Sequence, residues 1–416
     1  MDQRIPENNQ TASGRLIFAI TKISTTIPVP NAEIYITSSD APNQILYSLT
    51  TDSSGQTEAV ELPTPPLYFS QSEDQPRPYA LYQFSIYAEG YEPLNIDGGE
   101  ILPDVLSIQP VALTPLRFGR GAENITIPPH TLYGDYPAKI PEAEVKPLAE
   151  SGEIVLSRVV IPEYIIVHDG APTDRSAPDY YVPYKDYIKN VVSSEIYATW
   201  PESAIYANTF AIMSFTLNRV YTEWYRNRGY SFTITSSTAY DQKYIYGRTI
   251  YANIDRIVDS VFVNYISRPG VKQPLFTSYC NGTTATCRGL SQWGSKYLAD
   301  EGYTAIEILR NYYGNDVYIN TASEIDGVPS SWPSRELTVG SRGNKVLQLQ
   351  HQLNRIGRNY PALPYINPDG VYGTQTANAV EVFQRIFNLP ATGITDFATW
   401  YEISDIYVGV SRIAEP

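Results

Sequence analysis

Short runs that alternate apolar with polar residues fill the first quarter of the chain. Arg15-Leu-Ile-Phe-Ala-Ile-Thr21, Ala32-Glu-Ile-Tyr-Ile-Thr37, Ile45-Leu-Tyr-Ser-Leu-Thr50, Tyr82-Gln-Phe-Ser-Ile-Tyr87 and Val105-Leu-Ser-Ile-Gln109 are rich in β-branched and aromatic residues. Pro, Asn, Asp, Ser and Gly separate them, which predicts strands and an all-β unit over 1–115. From 116 to 158 the pattern is lost among prolines (Pro128, Pro129, Pro137, Pro141, Pro147) and acids (Glu142, Glu144, Glu150, Glu153). This stretch is expected to be an exposed connector, open to proteases. Helical spacing takes over in the central part, 159–322. Tyr187, Ile188, Val191 and Val192 form an apolar stripe that ends just before Glu195. Thr199-Trp-Pro-Glu202 then predicts a second helix opened by a Thr199–Glu202 capping box, with Pro201 tolerated in the first turn. Its small residues Ala204, Ala207, Ala211 and Ser214 allow another element to approach closely. A second joint, 323–336, holds Gly327, Pro329, Ser330, Ser331 and Pro333. Beyond it, over 337–405, Leu349, Leu353, Val380 and Phe383 fall at helical spacing on two short helices. Gly340 and Gly343 break the chain ahead of the first, and Asp369-Gly370 turns it toward the second.

Composition narrows the partners. The 416 residues are 43% hydrophobic and 18% charged, as in folded globular chains, and are long enough for two or three domains. A net charge of −14 argues against nucleic acid, whose binding depends on clustered Lys and Arg. A polysaccharide gripped by hydrogen bonds and aromatic faces fits better, and 35 tyrosines supply such faces. Two cysteines, Cys280 and Cys287, are too few for a disulfide-stapled scaffold. The start of the chain, Met1 to Asn9, is polar, and no run approaches the ~20 apolar residues of a membrane span. The expectation is synthesis without Sec export and no cofactor.

Residues 337 to 403 resemble the three-helix type of peptidoglycan-binding domain. The positions that carry the resemblance are Leu337 to Gly343, Val346 to Leu353, Asp369-Gly-Val-Tyr-Gly373, Thr376 to Val380, Phe383-Gln384 and Thr399-Trp400. It implies peptidoglycan as partner, with Asp369, Gly370, Gly373, Thr376, Phe383 and Gln384 as the module's marks. In the first unit, Pro28-Val-Pro-Asn-Ala32, Thr51 to Gln56 and Ala88-Glu-Gly-Tyr91 are similar to the marks of carboxypeptidase-regulatory-like, transthyretin-type sandwiches. The expected fold is therefore multidomain: an all-β sandwich, a central mixed α/β domain and a C-terminal three-helix module.

Glu202 is explained by capping; Glu195 is not. It stands where a helix runs out, near Ile196, Tyr197 and Trp200, apolar surroundings of the kind that favour the neutral carboxyl a general acid needs. Glu195 through Ala211, Gly289-Leu-Ser-Gln-Trp-Gly-Ser295 and Gly302 through Tyr313 together resemble the SpoIID/LytB family of lytic transglycosylases. Asp241-Gln-Lys-Tyr-Ile-Tyr-Gly247 is similar to a further family segment, which brings in Gln242 and Tyr246. The chain departs from the family pattern with Ile196-Tyr197 after the glutamate, with Asn208 where Gln is usual, and with a cysteine loop. The resemblance implies cleavage of the β-1,4 bond between N-acetylmuramic acid and N-acetylglucosamine, with Glu195 as acid and then base. Hydrolytic glycosidases need two carboxylates; a lytic transglycosylase can work with one. Ser278, Tyr279, Gln292 and Trp293 join Gln242 and Tyr246 as candidates for gripping the glycan, Trp293 by stacking on a sugar face or simply as core. Cys280 and Cys287 are open to a disulfide, to zinc or to neither. Of the three histidines, His130, His168 and His351, none is near them in sequence.

The order of β unit, connector, SpoIID-like domain and wall module resembles the spore cortex-lytic enzymes of clostridia. That implies a zymogen whose first part is a prosequence removed by a germination protease, and a place in the spore cortex or coat. Two rivals stay open: a non-catalytic wall-binding or coat protein, and a peptidoglycan amidase.

Overall fold

Alternation becomes two packed sheets in the first unit. The computed structural model describes residues 12–117, 121–134, 137–146, 156, 158–328 and 331–411. The polar start Met1 to Asn9, the connector residues Pro147, Glu150 and Glu153, and Pro329 and Ser330 of the second joint lie outside the described residues. Eight strands come first: β1 (Ala12–Lys22), β2 (Glu33–Ser38), β3 (Ala41–Thr50), β4 (Val60–Thr64), β5 (Ala80–Tyr87), β6 (Leu94–Ile101), β7 (Leu106–Leu113) and β8 (Glu123–Thr126). One sheet has the order β3-β2-β5-β6-β8. In the other, β1 runs antiparallel to β4 and parallel to β7. Every second residue of β1 turns inward, so Leu16, Phe18 and Ile20 are buried against Ile34, Phe84, Ile86 and Ile96 of the facing sheet. Phe18 and Phe84 meet edge to face at 5.0 Å.

The second sheet does not end within the first unit. Ile250 and Tyr251, from the central part, pair antiparallel with Ile108 and Ser107 of β7. Gln109 extends the joint by donating to the Gly247 carbonyl and accepting from the Thr249 hydroxyl. Below it, the Arg248 guanidinium and the Glu100 carboxylate, both fully buried, form an ion pair at 2.7 Å. The first unit and the central part are therefore packed as one body through a shared sheet edge and a buried charge pair.

The central part carries helices α1 (Tyr184–Glu195), α2 (Glu202–Tyr221), α3 (Ala252–Val261), α4 (Gln292–Asp300) and α5 (Ala305–Tyr313). The predicted stripe of α1 is buried along with the rest of the helix from Tyr187 to Glu195, and the small-residue stripe of α2 lets strand Asn264–Ser267 lie against it. Ser214 donates to the Ile266 carbonyl of that strand and to the Leu275 carbonyl beyond it. The expected capping box of α2 does not form. The helix begins at Glu202 with Pro201 in the capping position, and the Thr199 hydroxyl donates instead to Ser70 Oγ of the first unit, at 2.7 Å. The Thr199 hydroxyl faces a tertiary partner instead of accepting from the first turn of the helix. A capping box does occur on α5, between Thr304 and Glu307.

The C-terminal module is built of α6 (Asn344–Ile356), α7 (Thr374–Ile386) and α8 (Phe397–Ser411), with Leu349, Leu353, Val380 and Phe383 in its core. It is tied to α1 by charges. Lys185 pairs with Glu402 at 2.6 Å and Asp405 at 2.7 Å, while Lys189 pairs with Asp255 and Asp259 of α3. Among the described residues no helix is long and apolar enough to cross a membrane.

Candidate active site

Glu195 closes α1, and its carboxyl is wholly buried, at 0% exposure. The apolar wall expected around it is interrupted by three hydrogen-bond donors. The Lys243 backbone N–H donates to Oε1 at 2.8 Å, and the Tyr279 hydroxyl to the same oxygen at 3.2 Å. The Gln292 side-chain amide donates to Oε2 at 3.0 Å and to the Glu195 backbone carbonyl at 3.1 Å. Both carboxyl oxygens thus accept, and the side chain is held in one rotamer by three separate segments.

The sequence Gly289-Leu-Ser-Gln-Trp-Gly294 explains how Gln292 gets there. Gly289 has φ +146°, and a Cβ on it would fall 1.9 Å from the Ser278 carbonyl oxygen. That close approach pairs Tyr279 with Leu290 and Cys280 with Ser291 in two short parallel strands. Ser291 then caps α4 by accepting from the Gly294 N–H at 3.0 Å, which leaves Gln292 as the first helical residue, facing Glu195. At Gly294 a Cβ would lie 2.0 Å from the Tyr312 hydroxyl, so only glycine admits α5 there. Each polar or glycine position of the motif has a structural task. On α2, Asn208 donates to Ser295 Oγ at 2.7 Å and fixes α4 against it.

The other predicted grip residues divide. Tyr279 and Gln292 touch Glu195 itself. Ser278 is half-buried and gives its carbonyl to the Tyr313 hydroxyl at 2.9 Å. Trp293 is 4% exposed, enclosed by Trp200, Tyr197 and Tyr297, so in this arrangement neither indole face is open to a sugar. Gln242 is fully buried, one residue before the Lys243 amide that bonds Glu195. Its amide donates to the Ile212 carbonyl and its oxygen accepts from the Tyr187 and Thr216 hydroxyls, which makes it a cross-link in the core. Tyr246 stacks on Tyr180 at 4.5 Å, in a separate tyrosine cluster.

Two features were missed in the sequence. Asp241, two residues before the Lys243 amide, is the nearest carboxylate in sequence to that donor, and it is fully engaged. Its oxygens accept from Arg219 Nε at 2.7 Å, the Tyr225 hydroxyl at 2.6 Å, and the Thr235 N–H and hydroxyl. The second is the connector. Much of 137–146 is exposed as expected, Ile140 and Val145 among it, but the segment is also fastened to the central domain through Glu142, Glu144 and Lys146. Ile140 N–H donates to the Ala239 carbonyl, Glu142 takes a two-pronged bond from Arg219 at 2.6 and 2.8 Å, and Phe276 N–H donates to the Glu144 carbonyl. Lys146 is 3% exposed; burial pulls its ammonium down to about 8, with Glu142 at 2.6 Å working against that. No local pattern announces such docking, because the partners lie far along the chain.

Cys280 and Cys287 are joined as a disulfide, with Cα atoms 6.1 Å apart. Among the described residues there is no cluster of three or more His, Cys, Asp or Glu that could hold a metal. In the module, the predicted marks bond or pack within the module itself, Asp369 from an exposed position. Gln350 donates to Asp369 and Thr376 and accepts from the Gly370 N–H. Phe383 is core, Gly373 precedes α7, and Gln384 donates to the Ile394 carbonyl and accepts from the Thr392 and Gly393 N–H groups.

Comparison with known proteins agrees with two of these parts. Residues 179–261 match the stage II sporulation protein (SpoIID) family, and residues 342–403 match the peptidoglycan binding domain family. The chain is SpoIID-like with a C-terminal peptidoglycan-binding domain, and the two matches point to a sporulation-related protein that acts on peptidoglycan. No curated protein matches it. Among solved structures, the Bacillus anthracis TIE protein aligns at 17% identity over 25% of this chain and 18% of its own, with TM-score 0.18. Catechol 1,2-dioxygenase from Acinetobacter sp. ADP1 aligns at 15% identity over 29% and 60%, with TM-score 0.19. The chain thus spans less than two thirds of either, and likeness this weak says nothing of chemistry.

Proposed function

We propose that this chain is a spore cortex lytic transglycosylase made as a zymogen, with Glu195 as its one acid and base. The observation that carries the reading is a carboxyl gripped by three converging segments, while the carboxylate beside them in sequence, Asp241, is filled by Arg219, Tyr225 and Thr235. A single carboxylate suits transglycosylation. Glu195 gives its proton to the glycosidic oxygen as the bond to muramic C1 breaks. The muramic C6 hydroxyl then attacks C1, returning its proton to Glu195 and closing a 1,6-anhydro ring, with no water consumed. The C-terminal module holds the chain to the wall, residues 1–115 are the prosequence, and a germination protease cuts within the connector, 116–158. The site of action on this reading is the spore cortex.

The test is product analysis. Protease-activated protein acting on cortex peptidoglycan should release muropeptides lighter by one water than hydrolytic products, and Glu195→Gln should slow this about 10³-fold. Products cut at the peptide would instead support an amidase, and lysis unchanged by Glu195→Gln would remove the catalytic role.

A further inference from the structure

We propose that residues 137–146 occupy the glycan's place at Glu195, and that cutting the connector beyond Lys146 leaves them there until the glycan displaces them. This rests on Glu195 being the acid. The Lys139 ammonium donates to the Asp241 carbonyl at 2.5 Å and lies 4.7 Å from the centre of the Tyr279 ring, whose hydroxyl bonds Glu195. Burial weakens that ammonium, and the Glu195 charge is the first of the groups that restore it, so the two are electrostatic neighbours. Upstream, Thr131 N–H reaches the Ser194 carbonyl and His130 stacks on Tyr197 at 4.7 Å, so the chain before the strap also lies against the end of α1. Downstream, Lys146 and Gln273 exchange two hydrogen bonds of 3.0 Å, and Lys146 sits 3.5 Å over the Phe276 ring. The Glu195 carboxyl is wholly buried, and Lys139 is the strap residue set against the ring that bonds it.

None of these contacts depends on the peptide bonds that follow Lys146. A cut there removes the tether and its effective concentration, but leaves the Glu142–Arg219 fork, the Glu100–Arg248 pair and the strand joint at Ile108 in place. The severed piece behaves as a bound inhibitor, and activation needs a second step, exchange of the strap for substrate.

Hydrogen exchange on the full chain, carrying a specific protease site within 147–157, tests this. The Ile140, Lys146 and Phe276 amides report the strap. We expect their protection to change less than about 3-fold on cutting, and to fall at least about 10-fold in cut Lys139→Ala protein. A (GlcNAc-MurNAc)₂ tetrasaccharide added to the cut wild type should lower the same three protections and leave the Val371 amide in the wall module unmoved. Collapse of protection on cutting alone overturns the proposal, as does a tetrasaccharide that fails to bind or binds without disturbing the strap. Failure of the enzymatic reading looks different: the strap yields to the tetrasaccharide, yet no anhydro product ever forms.

Discussion

The wall module is fastened by a glutamine, Gln384, and the candidate active site is gathered around a glutamate, Glu195, but they recruit partners over very different distances. Gln384 bonds groups 8, 9, 10 and 15 residues away. Glu195 draws its donors from 48, 84 and 97 residues away. A module that seals itself by local bonds writes its fold into one compact stretch of sequence. A site assembled from remote segments leaves only fragments, each of which has a plausible local role of its own. The marks that identify the module are therefore its scaffold, while the residues around Glu195 fasten the fold and are the ones proposed to serve the reaction.

The largest effect that sharpens this contrast is expected from Gln384→Leu. It leaves the buried Gly393 N–H unmet, at about 1–3 kcal/mol, and removes the partner of the more exposed Thr392 N–H and Ile394 carbonyl at a smaller cost, besides the bond to Thr399. Chemical denaturation of the full chain should show a loss of about 3 kcal/mol or more in the module's transition. Retention on insoluble peptidoglycan should fall with it, while cleavage of soluble glycan by activated protein persists. If the central domain melts in step, the ion pairs of Lys185 with Glu402 and Asp405 couple the two parts and the contrast fails.

A smaller loss is expected at the glutamine that bonds Glu195. Gln292→Leu removes both bonds to Glu195, and should cost about 1–3 kcal/mol locally with at least about a tenfold drop in glycan cleavage. Wall retention should be untouched. A variant that loses retention as well would mean that α4 supports the module, which no contact described here provides for.

How much was legible follows the same division. The stripe Tyr187, Ile188, Val191 and Val192 located α1 and hence Glu195, because apolar spacing is a local signal, although the helix is buried on every side from Tyr187 to Glu195. The alternating runs located the strands of the first unit for the same reason. Thr199 misled, since its hydroxyl is held by Ser70, 129 residues away. Gln242 looked like a ligand-facing residue of a motif, and in the structure it is a core cross-link between Tyr187, Thr216 and Ile212. The connector looked exposed from its prolines and acids. Yet Glu142 and Lys146 are drawn onto the domain by Arg219 and Gln273, partners 77 and 127 residues distant that no spacing rule foresees.

Tyr279→Phe is the smallest and most discriminating change. It deletes one hydroxyl and one 3.2 Å bond to Glu195 Oε1, leaving the Lys243 N–H on the same oxygen. A bond of that kind contributes about 0.5–1.5 kcal/mol. If the contribution goes to placing the acid, cleavage falls by up to about tenfold with the thermal midpoint hardly moved. If it goes to the fold, the midpoint drops and the rate per folded molecule stays. The first outcome sets the remote partners of Glu195 apart from the scaffold glutamines of the module. The second makes them the same device at longer range, a hydroxyl and an amide that fasten one segment to another beside a carboxyl that would then need no help from them.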